Sequence, residues 1–221
     1  MDLNLGYTQK IIAEAAKRGV LRNALAYILA TAYWETGRTM KPVKEAYWLS
    51  EDWRKKNLRY YPWYGRGFVQ LTWEDNYKFA SDKVGKDLTK NADLALDPDI
   101  ACQILVQGMI EGWFAKDKQG VHNLDRYFNT KNSKWLDARR IINGIDKKNE
   151  IADIAMKYNE DLKKAGYGVD GNTKWQTSPS GAGQGSIVTE KPVQSVSDKK
   201  ATNLLEVILE LLRSIFGGSK K

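Results

Sequence analysis

The chain has 221 residues, enough for one domain of about 150–200 residues with some chain left over. Eight Trp and eleven Tyr can build a packed core and argue against a wholly disordered polymer binder. A single Cys and a single His exclude an internal disulfide framework and argue against a zinc hydrolase, whose site usually draws three protein ligands from His, Cys and carboxylate. The net charge of +8 suits a polyanionic partner such as wall polymer or acidic lipid. Nucleic acid is not expected, because no zinc-finger, basic-zipper or RNP-type pattern occurs.

Met1–Lys10 has no basic region leading into an apolar run, so no secretory signal is read there. No stretch reaches the ~18 consecutive apolar residues of a membrane span. A reducing cytoplasm is the expected compartment.

Leu21–Trp34 has Leu21, Leu25, Ile28 and Ala32 on one helical face, Glu35 continues that face, and Gly37 supplies the stop. Lys41–Tyr64 reads as irregular, polar and aromatic. A short hairpin near Tyr60–Leu71 is the most strand that the pattern supports. Trp73–Val84 predicts a helix, with Thr72 as N-cap. Asn91–Pro98 reads as a loop, and Asp99–Phe114 as a strongly apolar central helix whose Gly108 and Gly112 allow close helix packing. Trp135–Ile142 and Asn149–Lys164 read as two more helices, broken at Asn143–Gly144.

These elements place a mainly α-helical domain in residues 1–168. Residues 169–200 are expected to form a Gly/Ser/Pro-rich linker. Residues 201–221 are expected to form an amphipathic helix, which could dock on the domain, self-associate or lie on a bacterial membrane. Cys102, in the apolar run I-A-C-Q-I-L-V, reads as a buried inert thiol rather than a nucleophile paired with His122.

Two carboxyl groups across one scissile bond are the usual apparatus of glycoside hydrolysis. Glu35 suits the acid: an apolar helix face and a helix C-terminus both favour its neutral form. From spacing alone the second carboxylate is Glu45, Glu51 or Asp52, and Lys41 and Lys44 beside Glu45 favour its ionised form. Ten aromatics between Tyr47 and Tyr77 offer the apolar faces on which sugar rings stack.

Tyr64–Tyr77, Y-G-R-G-F-V-Q-L-T-W-E-D-N-Y, resembles the Y-G-R-G-P-I-Q-L-[ST]-x-x-x-N-Y signature of glycoside hydrolase family 19 chitinases. A-T-A-Y-W-E-T-G resembles the helix end that carries that family's acid, and A-R-R-I-I-N-G-I-D resembles its I-N-G segment. The match runs in order over about Leu21–Gly144. Phe68 in place of Pro, and the lack of paired cysteines, bring the chain nearer to the compact phage endolysins of this superfamily, which have a bilobed lysozyme-like fold.

The resemblance implies Glu35 as general acid, Glu45 as counterpart of the second carboxylate, and Thr72 as the hydroxyl holding the attacking water. It also implies substrate contacts from Gln70, Asn76, Tyr77, Tyr64 and Asn143. The implied activity is inverting hydrolysis of the bond between N-acetylmuramic acid and N-acetylglucosamine in peptidoglycan, with no metal or cofactor. The enzyme would be held in the host bacterial cytoplasm until lysis. A chitinase and a non-catalytic wall-binding protein are the alternatives.

Overall fold

The computed structural model describes residues 1–168; the expected linker 169–200 and terminal helix 201–221 lie outside the described residues. The described part is mainly helical with two small antiparallel hairpins, as the sequence predicts in class. Among the described residues no helix is long and apolar enough to cross a membrane.

The first helix, α1 (Thr8–Lys17), was not foreseen from the sequence. It buries Ile11, Ile12 and Ala15. Gly6 just before it has φ +51°, and a Cβ there would lie 2.5 Å from the Met40 carbonyl oxygen. The Tyr7 N–H donates to that same oxygen at 2.8 Å, tying the N-terminus to the segment after the second helix.

That helix, α2 (Arg22–Glu35), buries ten of its fourteen residues, which makes it the central element rather than the Asp99–Phe114 helix. Being apolar nearly all round, it can pack on several sides at once. Its end is pinned: the Thr36 hydroxyl donates to the Ala32 carbonyl at 2.7 Å and accepts from the Met40 N–H at 3.0 Å. Glu35 is the last residue of the helix, as expected.

The segment read as irregular contains structure. β1 (Val43–Lys44) leads into α3 (Glu51–Asn57), whose N-cap Ser50 accepts from the Trp53 N–H. β2 (Arg66–Gly67) pairs antiparallel with β1, Val43 opposite Gly67 and Lys44 opposite Arg66. The expected hairpin within Tyr60–Leu71 therefore takes its partner strand from upstream, and only a bridge between Arg66 and Leu71 lies inside it. Leu58, Tyr60 and Tyr64 form a small second core beneath this region.

α4 (Glu74–Val84) starts after Trp73, which occupies the N-cap with φ +75° and no side-chain cap bond. Thr72 is thus not the cap; its hydroxyl donates to the Gln70 carbonyl at 2.7 Å instead. The expected loop at 91–98 is a 3₁₀ turn over Ala92–Leu96. α5 (Pro98–Glu111) begins with Pro at its first turn, where a missing N–H costs nothing. Gly112 caps α5 in the left-handed conformation, and a Cβ on Gly108 would meet Phe114 Cζ at 2.3 Å. These glycines admit the chain's own return past the helix end, not a second helix.

A short hairpin of β3 (Lys116–Asp117) and β4 (Gly120–Val121) follows, then α6 (Leu124–Tyr127). Asp137–Ile141 is 3₁₀, shorter than the helix expected over 135–142. α7 (Lys148–Lys164) buries Ile151, Ala155, Tyr158 and Leu162 and packs along α2. Cys102 is 1% exposed, and burial pushes its thiol up to about 12, so it is inert as expected.

Asp97 accepts the N–H groups of Asp99 and Ile100 at 2.9 and 3.2 Å, satisfying two orphan donors of α5. Replacing Asp97 by Ala is expected to cost about 1 kcal/mol. In urea unfolding the midpoint should fall while the slope stays unchanged.

Candidate functional site

The Glu35 side chain is 7% exposed, and its Oε1 accepts from Arg139 Nη1 at 2.8 Å. Arg139 is itself only 3% exposed. The sequence leads one to expect burial and the helix C-terminus to govern Glu35; the structure adds a buried ion pair. Arg139 Nε donates to the Asp146 carbonyl at 3.0 Å, and the Asn143 N–H donates to the Arg139 carbonyl at 3.0 Å. The I-N-G-I-D segment is thereby folded around the arginine that holds Glu35. Asn143 is exposed and sits on that loop.

Glu45 follows β1 directly. Its Oε1 accepts from the Tyr60 hydroxyl at 2.7 Å and its Oε2 from the Gly65 N–H at 2.9 Å. Its own N–H donates to the Gly65 carbonyl at 2.7 Å. The buried Arg54 guanidinium braces the backbone here, donating to the carbonyls of Glu45 and Ala46 at 2.8 and 2.7 Å. Burial, and then the hydrogen bond to Glu45, push the Tyr60 hydroxyl well above its ordinary value, so it remains a donor.

Gly65 has no room for a side chain. A Cβ there would lie 2.7 Å from Gln70 Oε1 and 3.2 Å from Glu45 Oε2. Glu45 and Gln70 therefore flank the same glycine. Gln70 Nε2 donates to the carbonyls of Val43 and Gly67 at 3.1 and 3.3 Å, which locks the amide against the hairpin and leaves Oε1 as its acceptor. The Thr72 hydroxyl spends its hydrogen on the Gln70 carbonyl, so it can only accept from a further group. Asn76, exposed on the first turn of α4, donates to the Thr72 carbonyl at 2.7 Å.

Two of the expected substrate contacts lie elsewhere. Tyr77 and Tyr64 are fully buried. Tyr77 donates to the Tyr64 carbonyl at 2.8 Å and accepts from Arg66, while the Tyr64 hydroxyl donates to Glu51 at 3.0 Å. Tyr64 belongs to the small second core and Tyr77 to the main one, so neither ring is offered to a substrate. Among the described residues the exposed aromatics are Tyr47, Trp48, Trp73 and Phe79, the last of which lies against Trp113. Trp73 packs at a tilt against Tyr60, the donor to Glu45, and Tyr47 and Trp48 follow Glu45 closely in the chain.

Of the other carboxylates considered, Glu51 is tied to Tyr64 and Arg54, away from the Gly65 junction. Arg139, Tyr60 and Arg54 escaped the sequence reading. Arg139 had a readable signal, an arginine inside the quoted A-R-R-I-I-N-G-I-D segment between apolar positions. Tyr60 and Arg54 reach Glu45 only through the fold. Among the described residues no three His, Cys, Asp or Glu side chains gather in a group fit to hold a metal ion. No protein-family model matches the chain, and no curated protein matches it significantly.

Arg139→Ala would leave a buried carboxylate without its counter-charge, and is expected to cost about 3–5 kcal/mol. Adding Glu35→Gln to that variant should recover part of the loss, a coupling readable from a double-mutant cycle in urea. Strict additivity of the two substitutions would show that the pair is not what holds the helix end to the loop.

Proposed function

We propose that the protein is a peptidoglycan hydrolase, an endolysin-type muramidase with a lysozyme-like fold. The observation that carries this reading is the pair of separately fixed carboxylates. Glu35 is held through one oxygen by Arg139, and Glu45 is held through both by Tyr60 and Gly65. The resemblance of Tyr64–Tyr77, and the two flanking segments, to family 19 glycoside hydrolases supports it further.

In this reading Glu35 Oε2, the oxygen that Arg139 leaves free, carries the proton to the leaving glycosidic oxygen. Glu45 accepts a hydrogen from the attacking water, and Thr72, able only to accept, takes the other. The water then presents its lone pair to the anomeric carbon from the opposite face, which inverts the configuration. Gln70 and Asn76 hold Thr72 and the hairpin in register, and Tyr47, Trp48 and Trp73 offer faces to sugar rings. The net charge of +8 draws the enzyme to an anionic wall, so binding should weaken with salt. Such an enzyme would wait in the host cytoplasm and reach the wall at lysis.

Mass spectrometry of digested peptidoglycan tests the proposal. Muropeptides with reducing muramic acid ends are expected. Anhydro-muramic ends would indicate a transglycosylase that needs only Glu35, and release of sugars from chitin alone would indicate a chitinase. Glu35→Gln is expected to lower the rate by at least about 10²-fold while leaving sedimentation with cell walls intact. Equal lysis by this variant would make the protein a wall binder and not an enzyme.

Gly65→Ala should act through the other carboxylate. Its Cβ must push Gln70 or Glu45 aside. The turnover number is expected to fall by roughly 10²-fold, as for a displacement of about 1 Å at a reacting centre, with thermal unfolding little changed.

A further inference from the structure

Tyr27, Thr31 and Glu35 repeat at a spacing of four along α2, which places them on one side of the helix. Tyr27 and Thr31 are fully buried, and neither the Tyr27 hydroxyl nor the Thr31 Oγ1 has a hydrogen-bond partner among the described residues. A helical threonine commonly donates to the carbonyl one turn back, and Thr31 does not. A buried hydroxyl left without a partner forfeits its hydration and gains nothing in return. The third such hydroxyl, on Tyr158 of α7, lies in other company: its ring meets Tyr33 edge-on, and the charge that bears on it is Asp2.

The Tyr27 hydroxyl also shares the field of the ion pair. Its ring is held against Phe128, with centroids 5.4 Å apart. Burial pushes the hydroxyl well above its ordinary value. The charge of Arg139, from the turn at Asp137–Ile141, opposes that rise, while Glu35 and Tyr127 of α6 add to it. The two hydroxyls without partners thus belong to the surroundings of the Glu35–Arg139 contact.

Arg139 has donors to spare. A guanidinium carries N–H groups on each nitrogen. Nε donates to the Asp146 carbonyl and Nη1 to Glu35 Oε1, and Nη2 donates to no group among the described residues. Arginine often grips a carboxylate with two parallel bonds, yet only one oxygen of Glu35 is taken here. Buried water typically makes about three hydrogen bonds, and to groups of this kind.

We propose that Tyr27, Thr31 and Arg139 Nη2 together bind an internal water, and that this water keeps the guanidinium from closing on Glu35 Oε2. The water accepts from Nη2 and from the Tyr27 hydroxyl and donates to Thr31 Oγ1. Tyr27 and Thr31 are then positioning residues: they touch no substrate and act through Arg139. Their bearing on catalysis rests on the hydrolase reading, in which Oε2 carries the proton to the leaving oxygen. Without the water, Nη2 turns to Oε2, and a carboxylate gripped at both oxygens by a guanidinium favours its charged form. The acid is then lost at a lower pH.

A high-resolution crystal structure of the full-length protein tests the water itself. An ordered water within hydrogen-bonding distance of Tyr27 Oη, Thr31 Oγ1 and Arg139 Nη2 is expected, and a dry interior there overturns the proposal. Tyr27→Phe and Thr31→Val each remove one partner of the water and little volume. Carbon-13 NMR of the glutamate carboxyls, with Glu35 assigned through Glu35→Gln, should show the Glu35 signal titrating over a lower pH range in either variant than in the native protein. The alkaline limb of kcat on peptidoglycan should move the same way with KM unchanged, lowering turnover on that limb by about tenfold per pH unit of movement. Thr31→Ser keeps the hydroxyl and should restore both profiles.

Idle hydroxyls give the reverse result. Their removal relieves a desolvation cost, so Tyr27→Phe and Thr31→Val unfold at a higher urea concentration, and neither profile moves. That outcome sinks the proposal. The NMR titration needs no activity, so the two readings fail separately. A moved Glu35 signal without any hydrolysis defeats the enzyme reading alone, and hydrolysis with an unmoved signal defeats the positioning role alone.

Discussion

The ion pair between Glu35 and Arg139 joins residues 104 positions apart with both side chains almost wholly out of water. Removing two charges from water is expensive, and the cost is offset only when the remaining polar atoms are satisfied. Arg139 meets that condition through the Asp146 carbonyl, and its own carbonyl is used by Asn143. The loop at 143–146 is therefore not free to choose its path. It closes over the guanidinium, and α7 leaves from it in the direction that packs along α2. The end of one central helix and the start of another are thus set by one contact.

The segment that carries Glu45 is held in another way, by backbone conformation. Among the described residues, non-glycine positions with positive φ are Arg38, Met40, Ala46, Gln70, Trp73 and Lys147. Five lie between the end of α2 and the start of α4, and the sixth caps α7 beside the Arg139 loop. Each such conformation costs about 1–3 kcal/mol and persists only where the surroundings over-determine it. Here they do: Arg54 grips the backbone at Glu45 and Ala46, Gln70 grips Val43 and Gly67, and Trp73 donates its N–H to the Trp63 carbonyl at 2.8 Å. Strain of this kind gathers around loops that must hold side chains where regular structure would not.

What could be read from the sequence follows the same division. α2, α4, α5 and α7 were legible because burial of an apolar face repeats at helical spacing, and Gly37 marks a stop. α3 was not, because Glu51–Asn57 has a single apolar residue, Trp53, and so shows no helical repeat; Ser50 caps it. Thr72 looked like a cap because hydroxyls usually are. The positive φ of Trp73 moved the helix start by one residue and released Thr72 to face Gln70. Tyr64 and Tyr77 belong to a sequence motif but not to a surface, and no one-dimensional pattern separates a buried tyrosine from an exposed one. Arg139 pairs with Glu35 across 104 positions of sequence, so its partner could be found only by folding the chain.

The two carboxylates differ in a way that bears on how they would divide the chemistry. Glu45 meets two neutral donors, one on each oxygen, and nothing in that set changes if it gains or loses a hydrogen bond to water. Glu35 meets a full positive charge on one oxygen only. On the hydrolase reading, Glu35 would act as acid through Oε2, the oxygen that Arg139 does not hold. When the proton on Oε2 departs to the leaving oxygen, Glu35 becomes a carboxylate already seated against a guanidinium. The negative charge created by the acid is thus met without movement, and the positive charge developing on the sugar is left to Glu45. Preorganisation of this sort is where electrostatic catalysis gains most, since no dipole has to turn during the reaction.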